Sequence, residues 1–517
     1  MPTFTRTTLA VLVTIALALP LLTLWLPDGP RPLAATAPPI ATSKLFASLA
    51  TAGAAAALAV AVGTALAIVF SLTDFPHPHL GATLSLLPFI CPPAVWALSQ
   101  VHCYGPGGIL EVIWGDTWRP LLAGLNRGHY LSTILVLGQI HTPLAMLILG
   151  RALGRIHGAG FEAAHLYLSP SRLLLWLVVA VRGELTAAFL LAWALGLGNF
   201  AVPHVLQCGL YPIEIYARTT NYLDPTGAAW AATPLLCISL LAAGLAALAE
   251  NSAAGATASP QQRVRLPLGR HVWWIGGLLV AYLSLTSGLP LAATVTACKS
   301  PLLFLEVVRE AAPETGNTLW IGAGACLVAC VCGWCVAVGL GRRTRSLLGV
   351  LAVLPLGVPG LIVGLAYARF FARPWPVDLA GLGDSGWLVI LGLGFRSWPF
   401  ATRVIAQGQR QLAPEWQEMA GLSGVSGWRR WRWITAPLLL DAVVTGAILA
   451  YVLAVGEVEI SQLLCAPGQG TLALRLFTFL HFGPSHVAAG LALLQLLIAV
   501  VPVLLYYLVC DRCLQVV

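Results

Sequence analysis

The stretch HVAAGLALLQLLIAVVPVLLYYLV, residues 486–509, contains no charged side chain. A helix that spans a bilayer needs about 20 mostly apolar residues, so this stretch is long enough to cross a membrane. The whole chain has the same character, because 58% of its 517 residues are hydrophobic and only 9% are charged. Soluble domains carry roughly a quarter charged residues. The composition therefore excludes a soluble globular protein and predicts an integral membrane protein.

Similar apolar stretches precede residues 486–509, and together they predict an all-α protein with about 12 transmembrane helices. The other predicted spans are 8–26, 46–70, 80–101, 130–149, 173–197, 228–249, 272–289, 319–340, 347–370, 387–405 and 437–464. The first span is longer than the apolar core of a signal peptide, so we interpret it as retained. Lys and Arg are enriched in the loops that are inside when the N-terminus is cytoplasmic. This bias predicts a multi-pass protein of the cell (inner) membrane with both termini in the cytoplasm.

The chain repeats its own pattern at a slowly falling offset. The positions and their counterparts are Ser48 and Thr318, Gly63 and Gly333, Pro88 and Pro355, Pro92 and Pro359, Pro143 and Pro399, Glu162 and Glu418, and Gly198 and Gly456. The repeat unit contains six predicted helices, an even number, so both copies cross the membrane in the same direction. We therefore predict a tandem parallel duplication rather than inverted repeats.

The most informative motif lies in the predicted cytoplasmic loop before the eleventh span. It reads Glu418-Met419-Ala420-Gly421-Leu422-Ser423-Gly424, then nine residues, then Ile434-Thr435-Ala436-Pro437. This arrangement resembles the E-A-A-x3-G-x9-I-x-L-P loop of permease subunits in ATP-binding-cassette (ABC) importers. Met419 replaces a small residue and Ala436 replaces a leucine. In such a loop the glutamate suits the N-terminal side of a short helix, the glycine permits a turn, and the proline begins the next span.

The first copy of the duplication carries a degenerate form of this motif at Glu162-Ala163-Ala164. Leu168, Val178 and Val181 stand where the pattern has glycine, isoleucine and proline. The alternative interpretation is an ordinary basic amphipathic loop on the membrane surface, which explains neither the spacing nor the second copy. We predict that both loops are contact sites for an ATPase: Glu162, Ala163 and Ala164 in the first, and Glu418, Met419, Ala420, Gly424, Ile434 and Pro437 in the second.

The resemblance covers most of the chain and is typical of fused double permeases of the iron(III) and thiamine importers, which have the type I fold. It implies an N-terminal transmembrane helix and outer loop (1–43), a first permease domain (44–250), a linker with an extra transmembrane helix (251–312), a second permease domain (313–509) and a cytoplasmic tail (510–517). It also implies a translocation pathway for a small substrate, with iron(III) as the first choice and thiamine as the second.

The same resemblance implies two protein partners besides membrane lipid. These are a periplasmic or extracellular substrate-binding protein and a separate cytosolic ABC ATPase, expected to be a homodimer. The chain has no G-x4-G-K-[ST] sequence for nucleotide phosphates, so we interpret it as a transport subunit and not an enzyme. We expect no cofactor and no metal site. We also expect no nucleic-acid partner, because the basic residues are spread along the chain and do not form one patch.

Two acidic residues in an apolar region, Glu457 and Glu459, are candidates for the translocation path. An ionisable group within the membrane is costly and is normally turned inward and paired. The alternative is that both carboxylates only pack against an arginine or a helix dipole. An ion-coupled secondary transporter is the alternative function; it would need an ion relay at mid-membrane. A membrane-embedded enzyme would need a cluster of histidines or acids, whereas the histidines are scattered.

Overall fold

The computed structural model describes residues 3–26, 42–115, 129–156, 158–253, 266–339, 353–373, 385–412, 419, 429 and 431–514. These residues form α-helices and no named β-strand, which confirms the predicted all-α class. The helices before the linker are α1 (Thr3–Leu22), α2 (Thr42–Leu72), α3 (Pro78–Ser85), α4 (Leu87–Ile90), α5 (Pro93–Tyr104), α6 (Ile109–Trp114), α7 (Tyr130–Leu153), α8 (Gly158–Tyr167), α9 (Pro170–Ala180), α10 (Arg182–Leu197), α11 (Ala201–Val205), α12 (Tyr211–Thr220) and α13 (Pro225–Ala253).

The helices after the linker repeat much of this order. They are α14 (His271–Leu283), α15 (Leu289–Ala297), α16 (Pro301–Glu310), α17 (Ala312–Gly339), α18 (Gly360–Phe371), α19 (Gly386–Gln411), α20 (Ala436–Val455), α21 (Glu459–Leu464), α22 (Leu472–Phe482) and α23 (Ser485–Leu514). A π-helical turn, Ser284–Gly288, joins α14 to α15, and another, Trp431–Thr435, precedes α20. We call residues 44–250 the first half and residues 313–509 the second half.

Eight helical segments in the described part of the chain are long and apolar enough to cross a membrane, or ten if each of two bent helix pairs forms one span. The bent pairs coincide with the predicted spans 80–101 and 173–197. Spans 8–26 and 347–370 correspond to the shorter apolar helices Val11–Leu22 and Gly360–Phe371. The multi-pass membrane architecture is therefore confirmed, whereas the predicted count of twelve spans is not.

One predicted span was wrong in its extent, because residues 437–464 do not form one helix. Helix α20 ends at Val455, Gly456 caps it, and α21 begins only at Glu459. The first half has the same interruption, since α10 ends at Leu197 and α11 begins at Ala201. Hydropathy alone did not show the break, because residues on both sides of it are apolar.

Prolines interrupt the equivalent span in each half. Cys91 and Val358, which precede Pro92 and Pro359, both have extended backbones. A residue before proline is pushed away from the helical conformation, so the helix must stop there and restart. It restarts as α5 in the first half and as α18 in the second. The first of these breaks bends its span by 99°.

The duplication is visible in how closely the helices of each half approach each other. A Cβ atom added to Gly63 in α2 would lie 2.7 Å from Cβ of Ala145 in α7. A Cβ atom added to Gly333 in α17 would lie 3.2 Å from Cβ of Ala401 in α19. The two pairs stand at the predicted offsets along the chain. Glycine is therefore needed at the same helix crossing in both halves.

The first backbone N–H groups of α12 and α22 are hydrogen-bonded in the same way in the two halves. Oγ of Ser48 accepts a hydrogen bond from the backbone N–H of Tyr211 at 2.9 Å, where α12 begins. Oγ1 of Thr318 accepts one from the backbone N–H of Leu472 at 2.8 Å, where α22 begins. A buried helix start needs acceptors for its free N–H groups. The predicted correspondence of Ser48 and Thr318 thus reflects one shared structural task.

An ion pair near these helix starts is present in both halves with its signs exchanged. Lys44 pairs with Glu214 in the first half. In the second half Glu314 pairs with Arg475, with Nη1 of the arginine 2.8 Å from Oε1 of the glutamate. Both members of the pair therefore have the opposite sign in the second half, and the attraction between the two positions is kept.

The helices outside the two halves cross over to the opposite half. The hydroxyl of Tyr367 in the second half donates to the backbone carbonyl of Leu17 in α1 at 2.9 Å. Nε2 of Gln100 in the first half donates to the carbonyl of Thr286, between α14 and α15, at 2.9 Å. Helix α1 therefore contacts the second half although it precedes the first, and the segment between the halves contacts the first half.

Candidate functional site

Helix α8 carries the three predicted coupling residues of the first half and presents them on different sides. Ala164 is buried, as is its neighbour Phe161, and both belong to an apolar cluster with Leu173 of α9. Glu162 and Ala163 are exposed. One side of α8 is thus attached to the helical body, and the other side is free to contact a partner.

The C-terminal end of α8 adds an exposed apolar surface beside Glu162. Leu166 is 78% exposed and Tyr167 is 87% exposed. Both residues lie in the last turn of the helix, within five residues of Glu162. The apolar surface and the carboxylate together form a protrusion of one helix.

The turn after α8 does not use a left-handed residue. Leu168, at the position of the motif glycine, donates its N–H to the carbonyl of Ala164 at 2.9 Å and does not have a positive φ angle. Ser169 is extended, and Pro170 then begins α9. This geometry agrees with the expectation that leucine avoids a left-handed turn. The chain reverses through Ser169 and Pro170 instead.

An ion pair supports the base of this protrusion. Nη2 of Arg155, just after α7, lies 2.7 Å from Oε1 of Glu184 in the first turn of α10. The Glu184 side chain is only 9% exposed. Because α8 and α9 lie between these two residues in the chain, the pair ties together the two ends of the segment.

The structure describes only part of the second coupling loop. Glu418, Ala420 and Gly424 lie outside the described residues. Met419 is exposed, and Ile434 is half-buried in the π-helical turn before α20. Pro437 is the second residue of α20, after the cap residue Thr435. A proline in the first turn of a helix removes no internal hydrogen bond.

A cavity of about 110 Å³ lies between the two halves and contains both predicted path residues, Glu457 and Glu459. Its other polar lining residues are His141 and Asn199 from the first half and Arg396 from the second. Apolar side chains such as Phe89 and Phe400 complete the wall, with ring centroids 6.4 Å apart across the two halves. The arrangement is a small, mainly apolar cavity into which a few polar and ionisable side chains project.

The halves meet at this cavity through two reciprocal contacts. A Cβ atom added to Gly198 would lie 3.1 Å from Cα of Pro359, and one added to Gly456 would lie 3.2 Å from Cα of Pro92. Each contact joins a glycine of one half to a proline of the other. Reciprocal contacts of this kind are the mark of two-fold symmetry. The cavity therefore lies beside an approximate two-fold axis of the duplication.

Both carboxylates lie over the start of α18. A Cβ atom on Gly360, its first residue, would be 2.5 Å from Oε2 of Glu459 and 2.6 Å from Oε1 of Glu457. Nε of Arg396 is 3.9 Å from Oε2 of Glu457, and the same guanidinium donates to the carbonyl of Val358. Glycine makes space for the two carboxylates here. The positive end of the helix dipole favours their charge.

The matching positions in the first half are neutral. By the offsets of the duplication, Asn199 and Ala201 replace the two glutamates, Ile140 replaces Arg396, and Pro93 replaces Gly360. The sequence singles out Glu457 and Glu459 as acidic residues in an apolar region, but no local pattern places Arg396 or Gly360 beside them. Comparison of Gly456–Glu459 with Gly198–Ala201 would have shown that the charges belong to one half only.

The family comparison covers most of the second half. Residues 329–512 match the family described as "Binding-protein-dependent transport system inner membrane component". The chain is 28% identical over 186 residues to the "Putative 2-aminoethylphosphonate transport system permease protein PhnV" of Salmonella paratyphi A. That match covers 35% of this chain and 68% of the relative.

Two other relatives extend the comparison. The chain is 24% identical over 409 residues to the "Putative ferric transport system permease protein FbpB 1" of Haemophilus influenzae, which covers 74% of this chain and 63% of the relative. It is 28% identical over 221 residues to the molybdenum transport system permease protein ModB of Mycobacterium tuberculosis, covering 41% of this chain and 80% of the relative. Since 74% of the chain is more than either half supplies, the match to FbpB 1 involves both. The matched residues 329–512 and these relatives support the assignment of the chain to the permeases of binding-protein-dependent ABC transport systems.

Proposed function

We propose that this chain is a fused double permease that supplies both transmembrane halves of an ABC importer. The observation that carries the proposal is the cavity between two halves that contact each other reciprocally through Gly198, Pro359, Gly456 and Pro92. A path between two related halves can open by a change in their separation. The match to FbpB 1 supports this, because it extends over more than one half.

The path runs through the cavity in this proposal, with Glu457 and Glu459 on its wall. The described lining carries two carboxyl groups and one guanidinium, with histidine counted as neutral. A cation would experience less repulsion there than an anion. This supports iron(III) as the first choice of substrate, in line with the printed name of FbpB 1. Thiamine, also a cation, remains the second choice by resemblance.

Coupling to a separate ATPase takes place at α8 and at residues 418–437. The exposed side of α8, with Glu162, Ala163, Leu166 and Tyr167, supports this for the first half. The Arg155–Glu184 pair would transmit movement of α8 to the helices on either side. The substrate arrives with an external binding protein, and the chain itself is a transport subunit and not an enzyme.

Affinity purification of the full chain from native membranes tests the coupling. An ATPase should co-purify in a stable stoichiometry, and Gly424→Asp should remove at least nine-tenths of it while the chain remains inserted. The control is Gly316→Asp in α17, where an added Cβ atom would meet nothing within 4 Å. Retention of the ATPase by Gly424→Asp, or equal loss in both variants, would contradict the assignment of this loop.

Uptake measurements test the substrate. Cells that lack the chain should lose energy-dependent uptake of radiolabelled ferric iron and keep thiamine uptake. The opposite result would make thiamine the substrate, and loss of neither would contradict both choices. Uptake that follows an ion gradient and is insensitive to ATP depletion would favour the ion-coupled carrier instead.

A further inference from the structure

We propose that Glu459 is a positioning residue that joins the two halves across the path and keeps the cavity closed. Its Oε1 accepts a hydrogen bond from the backbone N–H of Phe200 in the first half at 2.6 Å. Its Oε2 accepts one from the backbone N–H of Leu361 in the second half at 3.0 Å. One carboxylate thus bridges two backbone groups that belong to different halves. We call these two bonds the Glu459 bridge.

The surroundings of the Glu459 bridge make it strong for a single side chain. Glu459 is only 5% exposed, and both bonds have a carboxylate as acceptor. In such a buried environment a hydrogen bond is electrostatically stronger than in water. Leu361 is the second residue of α18, so its N–H belongs to the free donors at a helix start. Without Glu459, the N–H groups of Leu361 and Phe200 would each lose their acceptor.

The bridge exists on one side of the two-fold axis only. The position equivalent to Glu459 in the first half is Ala201, which has no side-chain acceptor. The reciprocal Gly–Pro contacts occur on both sides, whereas the polar connection is made by the second half alone. Nearby, Nε2 of Gln462 in the second half donates to the hydroxyl of Tyr216 in the first half. Glu459 differs from this contact because its one carboxyl group joins backbone groups of both halves.

A native cysteine reports on this contact. Cys91 precedes Pro92, lines the cavity and is 1% exposed. Pro92 is also the residue against which Gly456 packs, three residues before Glu459. Separation of the halves would uncover Cys91 first, because it lies at the junction. Its reaction with a small thiol reagent therefore measures opening of the cavity.

This proposal rests on the proposed permease function, because only a permease has a translocation path between its halves. Its test needs only the full chain in lipid nanodiscs, with no ATPase, binding protein or substrate. A failure of this test therefore concerns the bridge alone. Failure of the permease function would appear in the co-purification and uptake experiments instead.

Thiol labelling with N-ethylmaleimide, with each modified cysteine identified by mass spectrometry, tests the bridge. Glu459→Gln should raise the labelling rate of Cys91 at least fivefold, because an amide offers one acceptor where the carboxylate offers two. Glu457→Gln is the matched control: it removes the same charge from the same cavity but leaves the bonds to Phe200 and Leu361. Its rate for Cys91 should stay within twofold of the unmodified chain.

A shorter acid provides a second, independent variant. Glu459→Asp keeps the charge but lacks one methylene, so its carboxylate cannot reach both N–H groups, and Cys91 labelling should again rise. Hydrogen exchange of the amides of Phe200 and Leu361 should increase in both Glu459 variants. Unchanged Cys91 labelling in Glu459→Gln and Glu459→Asp, or an equal rise in Glu457→Gln, would overturn the proposal.

Discussion

Single glycines set the distance between the helices of this protein. Gly63 allows α2 to approach α7 so closely that an added Cβ atom would be 2.9 Å from the backbone nitrogen of Met146 and 3.0 Å from the carbonyl oxygen of Thr142. Backbone atoms cannot rotate away as a flexible side chain can. At such a contact a methyl group must push the two helices apart.

We therefore expect Gly63→Ala to destabilise the protein by about 1–3 kcal/mol, the usual cost of overpacking. The midpoint of thermal unfolding in detergent, compared with that of the unmodified chain, measures the effect. Gly277→Ala is the control, because Gly277 of α14 has nothing within 4 Å of an added Cβ atom. If both variants unfold at the same temperature, the close approach of α2 and α7 is not limiting.

At the scale of elements, the two coupling loops differ although they occupy equivalent places. The first forms α8, with Glu162 and Ala163 exposed, and reverses through Ser169 and Pro170 without a glycine. The second keeps the motif residues Gly424, Ile434 and Pro437. A loop that keeps the glycine, isoleucine and proline of the motif should depend more strongly on its glutamate, because a fixed turn would present that residue in one orientation.

We expect Glu418→Lys to reduce transport more than Glu162→Lys does, when both are expressed at equal levels. Uptake of the substrate in cells that produce each variant measures this, with membrane levels of the chain determined in parallel. Glu306→Lys serves as the control, since Glu306 is an exposed residue of α16, far along the chain from both loops. Equal losses, or a larger loss in Glu162→Lys, would show that completeness of the motif does not determine coupling strength.

At the scale of the whole molecule, the duplication predicts one orientation for both halves in the membrane. The reciprocal Gly–Pro contacts require an approximate two-fold axis, and the even number of predicted helices in each repeat directs that axis along the membrane normal. Residues 155–172 and 410–435 and the linker should then face the cytoplasm together.

Cysteines introduced at Ser171, Ser259 and Ser426 should resist an impermeant thiol reagent in intact cells and react in inverted vesicles. Asn221→Cys, in a predicted outer loop, should show the opposite behaviour. Identification of labelled peptides by mass spectrometry allows the twelve native cysteines to remain. Labelling of Ser171→Cys and Ser426→Cys from opposite sides would exclude a parallel duplication.

The sequence predicted well those features that depend on local pattern. The apolar stretches located the helices. The predicted spans 80–101 and 347–370 ran through Pro92 and Pro359, however, and the breaks before α5 and α18 became visible only in the structure. Proline acts on its own backbone and on the residue before it, so the proline pairs are the local signal for these breaks. The sequence did not show that α20 stops at Val455, since that interruption lies inside an apolar region. The spacing of the motif predicted that Ile434 and Pro437 lie next to the start of the following helix, and the structure has them just before and within the first turn of α20.

The order of residues along the chain predicts a helical membrane protein of two related halves, and in each half a loop that resembles the coupling motif of ABC permeases. Composition and repetition can be read directly from the order of residues in the chain. Only the tertiary structure decided that Gly198 lies against Pro359 and that Glu459 joins Phe200 to Leu361. These residues are far apart in the chain and belong to different halves. Their meeting depends on how whole helices pack, and no local pattern specifies that.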